Sequence, residues 1–186
     1  MVFAGSVIGK KCSIIDDKNK YGCYTLLEEK NKMIISSEGI VNGVILDKYG
    51  KRGSEKRFGM PTRSLPIKIE DEPKGTKSFA VIFDDPDSVP VCGFVWVHWL
   101  VANLHRRELK DDDSINAYDY LQGINGWNDN SYGGPCPPDR PHLYRIRVFA
   151  LSSDLALKGG FDIDDLEREM QGKVLDSAEM FGTYDN

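Results

Sequence analysis

The run GFVWVHWLVANL, residues 93–104, constrains the fold of this chain more than any other stretch. It is the most apolar segment present, and a single imidazole interrupts it. Successive side chains of a strand point to opposite faces. Trp96, His98 and Leu100 are therefore expected on one face, and Val97, Trp99 and Val101 on the other. A strand that is apolar on both faces must be covered twice, as in a sandwich of two sheets. The imidazole is the exception to explain. Buried without partners for its ring nitrogens, it would cost about 1–3 kcal/mol. His98 is thus either a core histidine bonded to a carbonyl or part of a pocket. Trp96 on the same face favours the pocket, because indole offers a flat apolar wall with one donor.

Other segments carry the same period. Leu65, Ile67 and Ile69 alternate in residues 64–69, and residues 78–83 (SFAVIF) read as a buried strand. In residues 142–151, His142, Tyr144, Ile146 and Val148 oppose Leu143, Arg145, Arg147 and Phe149. Residues 33–46 read as an extended segment turning at Gly39 and Gly43, and residues 23–29 as a strand or a short helix. Residues 159–175 form a helix capped by Asp162 or Asp164 and stopped by Gly172, with Ile163, Leu166 and Met170 packing into the core. The polar stretch 48–63 is expected to be a surface loop. The long irregular stretch 103–140 is expected to supply functional loops. Eighteen glycines and nine prolines fit a loop-rich β protein better than a helical one. The fold expected is mainly β: one domain over residues 1–186, built as a sandwich of two antiparallel sheets with one or two short peripheral helices.

Charge and composition exclude several functions. A net charge of −5 leaves no general basic face for nucleic acid. The charged run HRRELKDDD, residues 105–113, reads as a solvated loop. No stretch approaches the roughly 18 apolar residues that cross a bilayer, so no stable membrane insertion is expected. The short apolar patch near the start has no charged segment before it and does not read as a secretion leader. Cys12, Cys23, Cys92 and Cys136 form no close pair, which fits free thiols in a cytoplasmic protein. The three histidines make no close ligand pair, so neither a metal nor another cofactor is expected. No Gly-x-Ser-x-Gly elbow and no phosphate-binding glycine loop occur.

Two further motifs bear on the pocket. DDPDS, residues 84–88, is a good turn in its own right, because its acids bond local N–H groups and proline fixes φ. SYGGPCPPDRPHLY, residues 131–144, is a stiff connection poor in N–H groups that delivers His142 and Tyr144 to a strand mouth. Cys136 within it reads as a small packed residue rather than a nucleophile.

Together these motifs resemble the phosphatidylethanolamine-binding protein family, also called Raf kinase inhibitor-like, and its bacterial branch in particular. The resemblance covers residues 33–184. It rests on Asp-Pro-Asp (85–87), Trp-x-His-Trp (96–99), Gly-Pro-x-Pro-Pro (134–138) and His-x-Tyr (142–144) in that order. Residues 1–32 match the family only weakly. Leu143 stands where the family has an arginine, and Gly93 lies near the place of a frequent pocket tyrosine. The resemblance implies a two-sheet sandwich with a small anion pocket at one end. The ligand-binding residues expected are Asp85, Asp87, Trp96, His98, Pro137, Pro138, His142 and Tyr144, none of them catalytic. The ligand expected is a small phosphorylated or carboxylate molecule, anchored by a protonated His98 or His142. A kinase or protease partner engaged through the pocket rim is the alternative. A hydrolase using His98 as base and Asp85 as its orienter ranks last. The oligomeric state stays open, a homodimer included.

Overall fold

The structure is a computed structural model that describes residues 32–116 and 118–186. Residues 23–29, Cys12 and Cys23 lie outside the described residues. The strands are β1 (Ile34–Ser36), β2 (Ile40–Val41), β3 (Val44–Ile45), β4 (Lys56–Arg57), β5 (Met60–Pro61) and β6 (Ile67–Glu70). They continue with β7 (Ser78–Asp85), β8 (Trp96–Leu104), β9 (Glu108–Leu109), β10 (Leu121–Gln122), β11 (His142–Leu151) and β12 (Val174–Tyr184). Three helical segments accompany them: α1 (Val89–Cys92), α2 (Asp113–Asn116) and α3 (Ile163–Met170).

Seven strands form the main sheet in the order β10-β8-β7-β11-β12-β3-β2. Its pairings are antiparallel except β12 with β3, which meet in parallel where Thr183 faces Val44. A second sheet has the order β1-β6-β9, and β4 pairs with β5 as a separate hairpin. The polar stretch 48–63 therefore contains this hairpin and is not loop throughout. The charged run 105–113 is likewise more than a solvated loop. It holds β9, whose Leu109 is 1% exposed and belongs to the core.

The double cover expected for the central strands is present, with a different element on each side. Ile67, Ile69 and Leu109 of the small sheet pack against Val81, Phe83, Trp99, Val101, Ile146 and Val148 of the large one. On the opposite face, Ala80, Ile82, Leu100 and Leu151 pack under Leu166 and Met170 of α3 and under Leu155 and Phe161. Burying each such Val, Leu, Ile or Phe side chain is worth about 1.5–3 kcal/mol. The helix starts at the first of its two candidate caps, since Asp162 accepts a 2.8 Å hydrogen bond from the Asp165 N–H. It is shorter than residues 159–175, and Gly172 takes a left-handed φ of 74° just beyond its end.

Strict alternation fails at two places in β8: near Asn103, where Phe79 faces Leu104 but Val81 faces Val101, and at His98. Phe83 of β7 faces Trp99, while the next residue, Asp84, faces Val97, so His98 is an extra, unpaired residue in the ladder. This is a β-bulge, which re-aims side chains locally. Val97 consequently packs on the α3 side with Leu100. His98 and Trp99 both turn toward the inter-sheet side, where His98 meets Phe83 at 5.1 Å and Trp99 meets Tyr132 at 5.6 Å between ring centroids. The expected grouping of His98 with Leu100, and of Val97 with Trp99, is therefore corrected.

Candidate functional site

The site forms where β7 ends, β8 begins and β11 begins. β7 runs into a 3-10 turn at Pro86–Ser88 and then into α1. Ser88 ties this turn to the next strand. Its hydroxyl accepts from the Trp96 N–H at 2.8 Å and lies 2.6 Å from the Asp85 carbonyl, to which it can donate. Asp87 clamps the turn to β11 by accepting from the Leu143 N–H at 2.9 Å and from Arg140. The Leu143 N–H is the chief cause that lowers the Asp87 pKa. Gly93 ends α1 with a φ of 88°, a left-handed cap that a tyrosine there would strain.

Loop 123–134 edges β8 through backbone bonds from Gly123 to Leu100, Gly126 to Val97 and Gly133 to His98. Asn125 shapes the loop from inside. Its carbonyl oxygen accepts from the Trp127 and Asp129 N–H groups, and its amide donates to the Ser131 carbonyl. Two glycines then let indoles lie flat on the backbone. A Cβ at Gly126 would fall 2.3 Å from Trp96, and one at Gly133 would fall 2.5 Å from Trp127. Gly134 meets backbone instead: its Cβ would fall 2.1 Å from the Tyr49 carbonyl oxygen. Backbone cannot rotate aside as a side chain can, so Gly134→Ala is expected to cost about 3 kcal/mol or more, the upper end of overpacking penalties. A loss of unfolding free energy under about 1 kcal/mol in urea would show that the 133–138 connection gives way freely.

A cavity of about 260 Å3 opens at this junction. It is lined by Asp85, Trp96, His98, Pro138, His142 and Tyr144, together with Ser88, Val91, Cys92, Trp127 and Cys136. Six of the eight sequence candidates thus meet, although Asp85 and Tyr144 lie far apart in the chain. Two do not line it. Asp87 is turned outward by its bond to Leu143, and Pro137 is buried behind the wall. Cys136 is also corrected: it is exposed on the cavity wall rather than packed, because Pro135 and Pro137 on either side are buried and turn it outward.

The two histidines differ in electrostatic state. His98 Nδ1 lies 2.6 Å from the Gly133 carbonyl and donates to it, closing a reciprocal pair with the Gly133 N–H to His98 carbonyl bond. That bond assigns the proton to Nδ1 and leaves Nε2 as an acceptor. Burial lowers the His98 pKa to about 4, so the ring is neutral at neutral pH. Of the two histidines considered as a cationic anchor, His98 is the neutral one. His142 has Nδ1 2.7 Å from Asp85 and Nε2 2.9 Å from Asp139. Burial opposes its charge, but the two carboxylates prevail and the His142 pKa is raised. Both ring N–H groups are occupied, so this imidazolium offers no free donor to a ligand.

Several buried polar atoms here lack a partner among the described residues: Asp85 Oδ1, the Tyr144 hydroxyl and Trp96 Nε1. Trp96 Nε1 is covered by Gly126. Burial raises the Tyr144 pKa far above that of a free phenol, so its hydroxyl keeps its proton. No lysine or arginine lines the cavity. Among the described residues, no three His, Cys, Asp or Glu side chains are grouped so as to hold a metal ion. Sequence reasoning missed Asp139, Ser88 and Trp127. For Trp127 a signal existed: a lone indole in the polar stretch INGWNDN needs a surface to cover.

Comparison with known proteins agrees with this geometry. The family model described as phosphatidylethanolamine-binding protein matches residues 36–185. The chain is 38% identical over 150 residues to the uncharacterized protein YxkA of Bacillus subtilis, covering 72% of this chain and 89% of that one. It is 43% identical over 122 residues to a UPF0098 protein of Aquifex aeolicus, covering 62% and 70%. Among solved structures, CT736 of Chlamydia trachomatis, described as a phosphatidylethanolamine-binding protein homologue, superposes with a TM-score of 0.73 at 31% identity, covering 84% of this chain and 99% of that one. Escherichia coli YbcL shares the fold with a TM-score of 0.72 at 24% identity, again over 84% and 99%. The chain belongs to the phosphatidylethanolamine-binding protein family and groups with its bacterial members.

Proposed function

We propose that this protein is a binding module that holds the phosphoryl or carboxyl head of a small molecule in the β7–β8–β11 cavity and does not turn it over. The observation that carries this reading is the set of buried, unpartnered polar atoms at that cavity. Asp85 Oδ1 and the Tyr144 hydroxyl sit in residues 4% and 1% exposed. Leaving a buried polar group unsatisfied costs about 1–3 kcal/mol, a cost that a ligand would remove. The alternative hydrolase is disfavoured by the hydrogen bonding. Asp85 orients His142 and not His98, and Asp139 occupies the other nitrogen of His142. A cytoplasmic location is consistent with Cys92 and Cys136 being free. Among the described residues, no helix is long and apolar enough to cross a membrane.

Titration of the labelled protein with inorganic phosphate, followed by the indole N–H signals of Trp96 and Trp127, tests the reading. Saturable shifts of both are expected, and Tyr144→Phe should weaken the affinity at least fivefold. Shifts that map elsewhere, or steady hydrolysis of a phosphoester panel that is lost with His98→Asn, would overturn it.

A kinase- or protease-modulating role is a second reading, supported by the cavity rim. Val89, Val91, Phe94 and Val95 are all exposed around α1, Phe94 at 54%. They form an apolar collar beside the opening, the kind of surface that marks interaction sites.

A further inference from the structure

The polar atoms at this cavity are unusual for an anion site, because two of them, Asp85 Oδ1 and His98 Nε2, can only accept hydrogen bonds. Asp85 Oδ1 is a buried carboxylate oxygen that makes no hydrogen bond within the described residues, and the Tyr144 hydroxyl lies beside the same carboxylate. His98 Nε2 is an acceptor because Nδ1 spends its proton on the Gly133 carbonyl. The Tyr144 hydroxyl can donate one proton and accept another. A fully deprotonated oxyanion has only acceptors to set against these groups. Its oxygens would face Asp85 Oδ1 and His98 Nε2 with no hydrogen between them.

Nor does free positive charge offset that repulsion. His142 is committed on both nitrogens to Asp85 and Asp139. Arg140 reaches Asp87, and Asp84 behind the cavity is held by Arg145 and Arg147. Cys92 has its thiol between the Ser88 and Phe94 carbonyls, and Cys136 is a free cysteine.

We propose that the cavity selects a phosphoryl head that still carries a proton, dihydrogen phosphate or a phosphomonoester monoanion, by taking that proton's hydrogen bond on Asp85 Oδ1. This inference rests on the binding role proposed above and adds its selectivity. The ligand's P–O–H donates to Asp85, Tyr144 donates to a bare phosphoryl oxygen, and His98 Nε2 accepts a second O–H where the ligand has one, as dihydrogen phosphate does. Sulfate and phosphodiesters, which carry no proton near neutrality, are rejected for lack of a donor. Specificity of this kind can be large, because the wrong ligand leaves buried polar groups unpaired. Asp85 is therefore a specificity-determining residue, with His142 as the cation that holds it in place.

Competitive calorimetry of the full chain tests this, with inorganic phosphate, methyl phosphate, sulfate, dimethyl phosphate and ethanolamine at pH 5.5, 6.5 and 8. Phosphate and methyl phosphate should bind at least tenfold tighter than sulfate or dimethyl phosphate at pH 5.5. Their affinity should fall at least fivefold by pH 8, because a phosphomonoester loses its second proton near about pH 6. Dimethyl phosphate keeps one charge throughout, so any pH dependence it shows belongs to the protein and is subtracted. Asp85→Asn, which can present an amide N–H, should bring sulfate to within threefold of phosphate. Equal affinity for sulfate and phosphate in the native chain overturns the inference while leaving the binding role standing. Ethanolamine binding as tightly as phosphate overturns it too, because Asp85 would then serve an ammonium. Failure of every oxyanion to bind at any pH overturns the binding role itself.

Discussion

Asp85→Ala is expected to remove about 3 kcal/mol of folding stability at pH 6, within the range for breaking one side of a buried ion pair. The pair is well buried: the His142 side chain is 1% exposed and that of Asp85 is 6%. Removing the carboxylate leaves His142 with Asp139 alone, whose side chain is half exposed and screened by water. The sign of the pH dependence follows from His142, whose folded pKa is raised above its ordinary 6.5. Its contribution is fully present below about pH 6.5, the unfolded value, and is lost as pH rises through the folded value. The gap between native chain and variant should therefore narrow from pH 6 to pH 9 in urea unfolding. A gap of constant size would mean that His142 is neutral in the folded state and only hydrogen bonded. Asp139→Ala supplies the contrast. As an exposed partner it should cost under about 1 kcal/mol while lowering the same titration.

How much of this could be read beforehand depended on whether a residue's role was set by its neighbours in sequence or by packing. The period of β11 gave His142, Tyr144, Ile146 and Val148 a common buried face, and the structure has them so. The α3 cap and stop were also local signals, and both hold. Period-two reasoning broke in β8 because a bulge is a property of two paired strands. Nothing in WVHWL announces that Phe83 and Asp84 will straddle His98. The bulge is nevertheless what turns His98 toward Tyr144, with ring centroids 5.2 Å apart. Burial of charge was equally hidden. DDPDS reads as a turn, yet Asp84 and Asp85 end a strand, where Asp84 is buried under Arg145 and Arg147. Their partners come from β11, more than 50 positions along the chain. Leu109 entered the core from a charged run because only its neighbours are polar, while its own side chain faces Ile67 across the small sheet.

His98 gives the last large effect, with a sign opposite to that of His142. Its folded pKa is about 4 because the ring is buried, whereas in the unfolded chain it titrates near 6.5. The unfolded state therefore takes up a proton that the native state refuses. Stability should fall as pH drops from 6.5 to 4 and level off below that. Each tenfold difference in proton affinity is worth about 1.4 kcal/mol, so His98 alone should account for a loss of about 3 kcal/mol. Other groups contribute in the same experiment, since Asp87 and Asp139 have lowered values and lose their stabilisation near the acid end. The comparison is therefore made against His98→Asn, whose amide can still donate to the Gly133 carbonyl but does not titrate. The variant should be less stable than the native chain at pH 7, because it packs less well against Phe83 and Trp127. Its stability should nevertheless decline less steeply between pH 6.5 and 4. Parallel curves would mean that the native imidazole accepts a proton as readily as the unfolded one. In that case a cation would face the cavity at mildly acid pH, and sulfate would become as good a ligand as phosphate. The two measurements therefore constrain each other: a neutral His98 requires a ligand that brings its own proton, and a charged one does not.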